Sequence, residues 1–135
     1  MAASSIHSEV TNNISRWNKV KDCVSGSETI KKKTVIHLPR PNANDLSDYA
    51  SERYAAYLAR ASFVNFTGST LEGLLGMVYR QDLDIDLPDS IQYLVENANG
   101  AGLSVDQMSR ALLSNVLQTG RSGLLTDYPP APKGL

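Results

Sequence analysis

The sequence predicts a mainly helical fold with a long central helix and a C-terminal strand that has no partner, and three observations carry that prediction. Val10, Ile14, Trp17, Val20 and Val24 recur at helical spacing before Gly26. A central run repeats small and apolar residues every seven positions, the pattern of a helix-packing seam. Leu124-Leu125-Thr126-Asp127-Tyr128 reads as an apolar strand following the last helix. A strand alone leaves its N–H and C=O groups unpaired, so the chain reads as a fragment that lacks part of its sheet or as an assembly subunit.

Composition sets the outer limits. The chain has 135 residues, 41% of them hydrophobic and 20% charged, with a formal net charge of -1. That length suits one mostly helical domain or part-domain over residues 9–128, after a loose tail at 1–8 and before a Pro-rich end at 129–135. The near-neutral charge provides no long-range field toward nucleic acid or membrane. A single cysteine, Cys23, excludes an internal disulfide and a multi-cysteine zinc site, and it suits a reducing compartment. The N-terminus has no apolar core of signal-peptide length, and no stretch approaches the roughly 20 apolar residues of a membrane span.

In chain order, residues 9–24 form the first helix, and 27–33 add a further turn or two with Ser27 as N-cap and Ile30 facing inward. Thr34 to Leu38 is β-branched and reads as extended, after which Pro39-Arg40-Pro41 stops any helix. Asn42 to Ser47 is a polar connector, and Asp48 is placed as the N-cap of the long helix. In that helix Tyr54, Ala61, Gly68 and Leu75 form one row, and Tyr57, Val64, Leu71 and Val78 the other. Such a seam suits an intramolecular core or a subunit contact, and Ala61 and Gly68 leave room for close approach of a backbone. The glycines at 68, 73 and 76 weaken a helix interior by about 1 kcal/mol each relative to alanine, so a break near Asn65 to Ser69 is compatible with the sequence.

Asp82, Asp84 and Asp86 alternate as calcium-loop ligands do, but the sixth position holds Leu87 instead of glycine and the twelfth holds Tyr93 instead of glutamate. A short extended connector is the better reading. Pro88, Asp89 and Ser90 open a helix carrying Ile91, Leu94 and Val95, which ends in the turn-forming residues 97–102. The last helix is the best specified. Ser104 and Gln107 form a capping box, Leu103 and Met108 occupy the staple positions, and Gly120 sits where a left-handed residue ends the helix. Its buried side is expected to include Val105, Met108, Leu112, Leu113, Val116 and Leu117.

Residues with chemical potential are few. Gly120-Arg121-Ser122-Gly123 follows a helix C-terminus, where the dipole disfavours anions, so Arg121 is expected to order the turn or to pair with a carboxylate such as Asp127. His7 and His37 lack a recognisable nucleophile, carboxylate pair or metal-spaced partner, and Cys23 lacks a base. Lys31-Lys32-Lys33, with Lys19, Lys21 and Arg40 nearby, fits a solvated face or a phosphate contact. The expectation is therefore a non-enzymatic protein with no catalytic residue, cofactor or metal.

Four blocks in order carry a resemblance: WNKVKDCVSG from Trp17, HLPRP from His37, YAAYLARASFVNFTGSTLEGLLGMVYRQD from Tyr54, and LLSNVLQTGRSGLLTDYP from Leu112. The combination resembles a family of tailed-phage portal-like proteins catalogued as a domain of unknown function, and it runs almost end to end. Leu83 stands where that family is expected to have proline, and His37 where an aromatic such as tyrosine is usual. The resemblance implies the N-terminal part of a larger α+β portal-type protein, a structural subunit of a dodecameric homo-oligomeric ring at a capsid vertex. DNA is packed and ejected through such a ring, which docks to the terminase motor and to head-tail adaptor proteins. It implies a virion location, with host cytoplasm during assembly, and supplies no catalytic residues. Trp17, Asp22, Tyr57, Ala61, Val64, Gly68, Leu71, Leu75, Arg121 and Asp127 are accordingly expected to serve packing and assembly. The alternative is a free-standing small helical module, from a degenerate prophage, that binds a host or phage protein.

Overall fold

The computed structural model describes residues 6–126 and is mainly helical, with no strand among the described residues. The chain divides into two compact units, Met1–Asp82 and Leu83–Leu135. No helix of the described residues is long and apolar enough to cross a membrane.

In the N-terminal unit, α1 spans Ser8–Ser25, α2 Ser27–Lys32, α3 Asp48–Arg60 and α4 Phe66–Val78. The α1 helix starts inside the segment expected to be a tail, because His7 caps it, its Nδ1 accepting the Glu9 N–H at 3.3 Å. Gly26, at φ +88°, separates α1 from α2 and stands in the capping position expected of Ser27. Both α2 and α4 pack on α1. The buried apolar residues are Ile30, Tyr54, Leu71 and Leu75, and none of them is fully enclosed. At about 1.5–3 kcal/mol for each large apolar side chain removed from water, this is a thin apolar core.

Two longer stretches of this unit also depart from expectation for local reasons, the second at a break that the sequence left open near Asn65. Residues 34–38 are not extended: Thr34–Ile36 is a 3-10 helix, closed by Leu38 N–H to Thr34 O at 2.7 Å and His37 N–H to the same oxygen at 3.1 Å. With no strand beside it, the β-branched run has no ladder to join and its backbone bonds close locally, at the expense of a positive φ of 42° at Thr34. The long central helix is two helices, parted at residues 61–65. Ala61 leaves helical geometry at ψ 131°, and Asn65 starts α4 by accepting the Gly68 N–H at 2.8 Å. Similarly Ser47, one residue before the expected cap, accepts the Ala50 N–H at 3.2 Å to open α3.

The break ends the heptad seam. Gly68, Leu71 and Leu75 are buried on α4 and Tyr54 on α3, whereas Tyr57, Val64 and Val78 are exposed. Gly68 does admit a close neighbour, but that neighbour is the side chain of its own cap. A Cβ at Gly68 would lie 2.5 Å from Asn65 Nδ2 and 2.9 Å from Cγ and Oδ1.

The C-terminal unit contains a 3-10 helix, Asp89–Val95, in contact with α5, Val105–Thr119. Asparagines close the loop between them. Asn97 Oδ1 accepts Gly102 N–H at 2.7 Å, and Asn99 Oδ1 accepts Ala101 and Leu103 N–H at 2.9 and 3.1 Å. The capping box of Ser104 and Gln107 is present in both directions, and Gly120 ends α5 at φ +75°. Val105, Met108, Leu112 and Leu113 are half-buried, but Val116 and Leu117 are exposed, so the apolar stripe is covered only over its first turns. The expected strand is not formed at residues 124–126, which have no regular structure and no strand to pair with among the described residues, and Asp127 and Tyr128 lie outside the described residues.

Ser104→Ala should lower stability by about 1 kcal/mol through loss of one half of the capping box, read by denaturant unfolding. Gly68→Ala should cost about 1–3 kcal/mol by displacing the Asn65 cap. In the Asn65→Ala background the same substitution should cost much less, and additive costs in this double-mutant cycle would disprove the contact as its cause.

Candidate functional site

The most developed polar arrangement of the N-terminal unit grows from one carboxylate. Asp22 lies near the end of α1 on a side that α2 and the following turn cover, and it is the one buried charged residue among those described. A buried carboxylate needs donors, and the chain brings back two. Lys33 Nζ reaches Oδ1 at 2.6 Å and Oδ2 at 2.8 Å, and His37 Nε2 lies 2.8 Å from Oδ2. An ionised carboxylate only accepts, so Nε2 of His37 carries the proton. The hydrogen bond from Lys33 first, and that from His37 second, hold the Asp22 carboxyl below the usual carboxylate value, outweighing the opposing effect of its desolvation.

The next residue, Leu38, passes the linkage to α3, because its carbonyl accepts the Tyr54 hydroxyl at 2.7 Å. Lys31 Nζ donates to Ala59 O at 3.2 Å, a second tie from α2 to α3. Asn65 donates through Nδ2 to Val24 O at 3.0 Å, tying the start of α4 to the end of α1. The three consecutive lysines, read as a solvated or phosphate-contacting face, are thus occupied within the unit. Lys31 and Lys33 make the ties just described, and Lys32 pairs with Glu28 at 3.2 Å across one turn of α2.

Two clefts flank this framework. One, of about 200 Å³, is lined by Cys23, Ile30, His37, Leu38, Ser62 and Phe63 among others. Cys23 and His37 share it without a hydrogen bond to each other, so the imidazole is oriented by Asp22 but is not paired with the thiol. The other, of about 360 Å³, lies along α3 and the 40–45 segment, with Arg40, Asp45, Arg53, Tyr54, Tyr57 and Arg60 on its walls. Arg40 stacks over the Tyr54 ring at 4.8 Å, and Tyr54 and Tyr57 lie 6.1 Å apart. Asp45 is also held below its ordinary value, chiefly by hydrogen bonds from the side chain and backbone of Ser47.

The residues singled out by sequence are scattered in role. Asp22, Gly68, Leu71 and Leu75 are buried in the N-terminal unit, Trp17 and Ala61 are half-buried there, and Tyr57 and Val64 are exposed. Arg121 is exposed in the C-terminal unit, where the turn it follows is ordered by Thr119 Oγ1, 2.8 Å from both Asn115 O and Arg121 O. Asp127 lies outside the described residues. Asp82, Asp84 and Asp86 are exposed in an irregular segment. The sequence singled out His37, Lys33, Arg40 and Asn65 without the contacts they make, namely Asp22 for the first two, the Tyr54 ring for Arg40 and Val24 O for Asn65. The spacing of four between Lys33 and His37 was available as a signal, because a helical turn sets such a pair on one side.

No protein-family model matches this sequence, and no curated protein matches it.

The depressed Asp22 value has a pH signature. Ionised Asp22 contributes stability above the ordinary carboxylate value of 3.8, and that contribution disappears as pH falls from there through the lower folded-state value. Asp22→Asn should therefore melt lower than the parent at neutral pH and lose less on acidification, measured by circular dichroism between about pH 7 and pH 2. Parallel acid profiles for the two proteins would remove Asp22 from this role.

Proposed function

We propose that the chain is a structural subunit, or the N-terminal portion of one, in a phage portal-like ring, and that it works through assembly geometry instead of catalysis. One observation carries the assembly reading: α4 exposes several large apolar side chains in addition to the side it buries. It buries Gly68, Leu71 and Leu75 on one side, yet Phe66 is 75% exposed, Met77 67% and Val78 60%. Glu72 is its single charged residue. Large apolar side chains gathered on the outer side of a helix mark a surface for a further protein contact, and this unit covers only the Gly68, Leu71 and Leu75 side.

In the proposed assembly the uncovered part of α4 packs against another copy of the chain, and the polar ties from α1 hold it rigid for that contact. The portal-specific part, with a dodecameric ring, the terminase motor, adaptor proteins and passage of DNA, is supported by the four sequence blocks. The scarcity of enclosed apolar residues fits a subunit that completes its core by association, as small chains with little buried surface often do.

Light scattering across a concentration series tests this reading. The parent should gain mass with concentration, and Phe66→Ser/Met77→Ser should shift that association to at least about tenfold higher concentration with unchanged helicity. A parent that stays monomeric throughout, or association indifferent to both serines, would favour a free-standing binding module.

A further inference from the structure

The cleft along α3 has a specific chemistry, although Tyr54 on its wall also bonds Leu38 in the framework above. Arg53 and Arg60 lie seven residues apart on α3, which returns both to the cleft side of the helix. Arg40 joins them from the preceding segment, clamped on the Tyr54 ring at 4.8 Å. None of the three is within ion-pair distance of a carboxylate among the described residues. Arg53 is stacked over Tyr49 at 5.6 Å, and Arg60 spends only its Nε, on Ala56 O at 3.2 Å. Arg40 Nη1 is covered by protein and has no acceptor. That nitrogen is turned into the protein, so a ligand in the cleft would meet the other donors of the Arg40 guanidinium.

The charge balance narrows the ligand. Asp45 is the one carboxylate on the cleft wall, and its Oδ1 already accepts the Ser47 N–H at 3.1 Å. Three guanidinium groups against that carboxylate leave two positive charges, which match a phosphate monoester at about two negative charges near neutral pH. Guanidinium forks suit phosphate geometry. The volume, about 360 Å³, is more than a bare phosphate fills, and apart from Asn42 the remaining accessible wall is apolar, with the exposed Tyr57 ring beside Pro41, Ala50 and Ala56. We infer that this cleft binds a small phosphate monoester carrying an aromatic group, with Arg40, Arg53 and Arg60 holding the phosphoryl dianion and Tyr57 facing the organic part.

Titration of the full chain with phenyl phosphate, inorganic phosphate and benzenesulfonate, followed by calorimetry at low salt, tests the assignment. Phenyl phosphate should bind saturably and at least about tenfold tighter than either inorganic phosphate or the singly charged sulfonate. Arg60→Gln, which removes no contact beyond its own helix, should weaken phenyl phosphate about tenfold with unchanged melting, and Arg40→Gln should do so more strongly. Tyr57→Ala should bring phenyl phosphate down to the affinity of inorganic phosphate. The assignment is overturned if phenyl phosphate fails to saturate, if Arg60→Gln binds it like the parent, or if benzenesulfonate binds equally well. Since Arg40 also packs on Tyr54, a poorly folded Arg40 variant leaves the decision to Arg60→Gln and Arg53→Gln.

Discussion

A carboxylate that a helix carries into a covered position must be matched with donors, and the N-terminal unit is arranged around that requirement at Asp22. The match comes from one short stretch, since Lys33 and His37 flank a single helical turn and close on the two oxygens from neighbouring directions. Once that turn is fixed, Leu38 presents its carbonyl to Tyr54 and thereby locates α3. Asn65 performs a comparable task at the other side of α1, anchoring α4 through Val24. The helices are therefore registered by directional bonds, and the four buried apolar residues fill the space these bonds define.

Elements whose instructions are local were legible in the sequence. The capping box at Ser104, the left-handed Gly120 and the apolar spacing of α1 each depend on residues within a turn or two of one another, and all three occur. Elements whose fate depends on a distant partner were not. The β-branched residues 34–36 have strand propensity, but propensity without a neighbouring strand gives no hydrogen bonds, and the segment closed on itself. The heptad rows ran past Ala61 because apolar spacing carries no information on where the backbone leaves the helix, and a change of ψ at one residue rotated everything after it. Lys31 and Lys33 resembled a solvated run because their acceptors, Ala59 O and Asp22, are distant in sequence. Only the mainly helical class was readable throughout.

The α3 and α4 helices, adjacent in sequence, differ sharply in chemistry. On α3, aromatic rings alternate with arginines, giving a wall that holds charge while keeping flat apolar surface beside it. On α4, small and aliphatic residues nearly exclude charge. The first composition favours a polar ligand of defined geometry, and the second favours another protein surface, where shape matters more than charge. The two compositions can stand side by side because the short segment between the helices, residues 61–65, separates their packing demands.

The backbone at Thr34 suggests where this protein has exchanged resilience for precision. A β-branched residue at φ +42° is strained, by about 1–2 kcal/mol on the scale of left-handed conformations, and glycine would relieve it. Glycine there would also free the hinge between Lys33 and His37, so the donors would reach Asp22 from a wider range of angles. Thr34 is thus a position where laboratory selection for heat resistance and selection for a fixed geometry at Asp22 would pull in opposite directions.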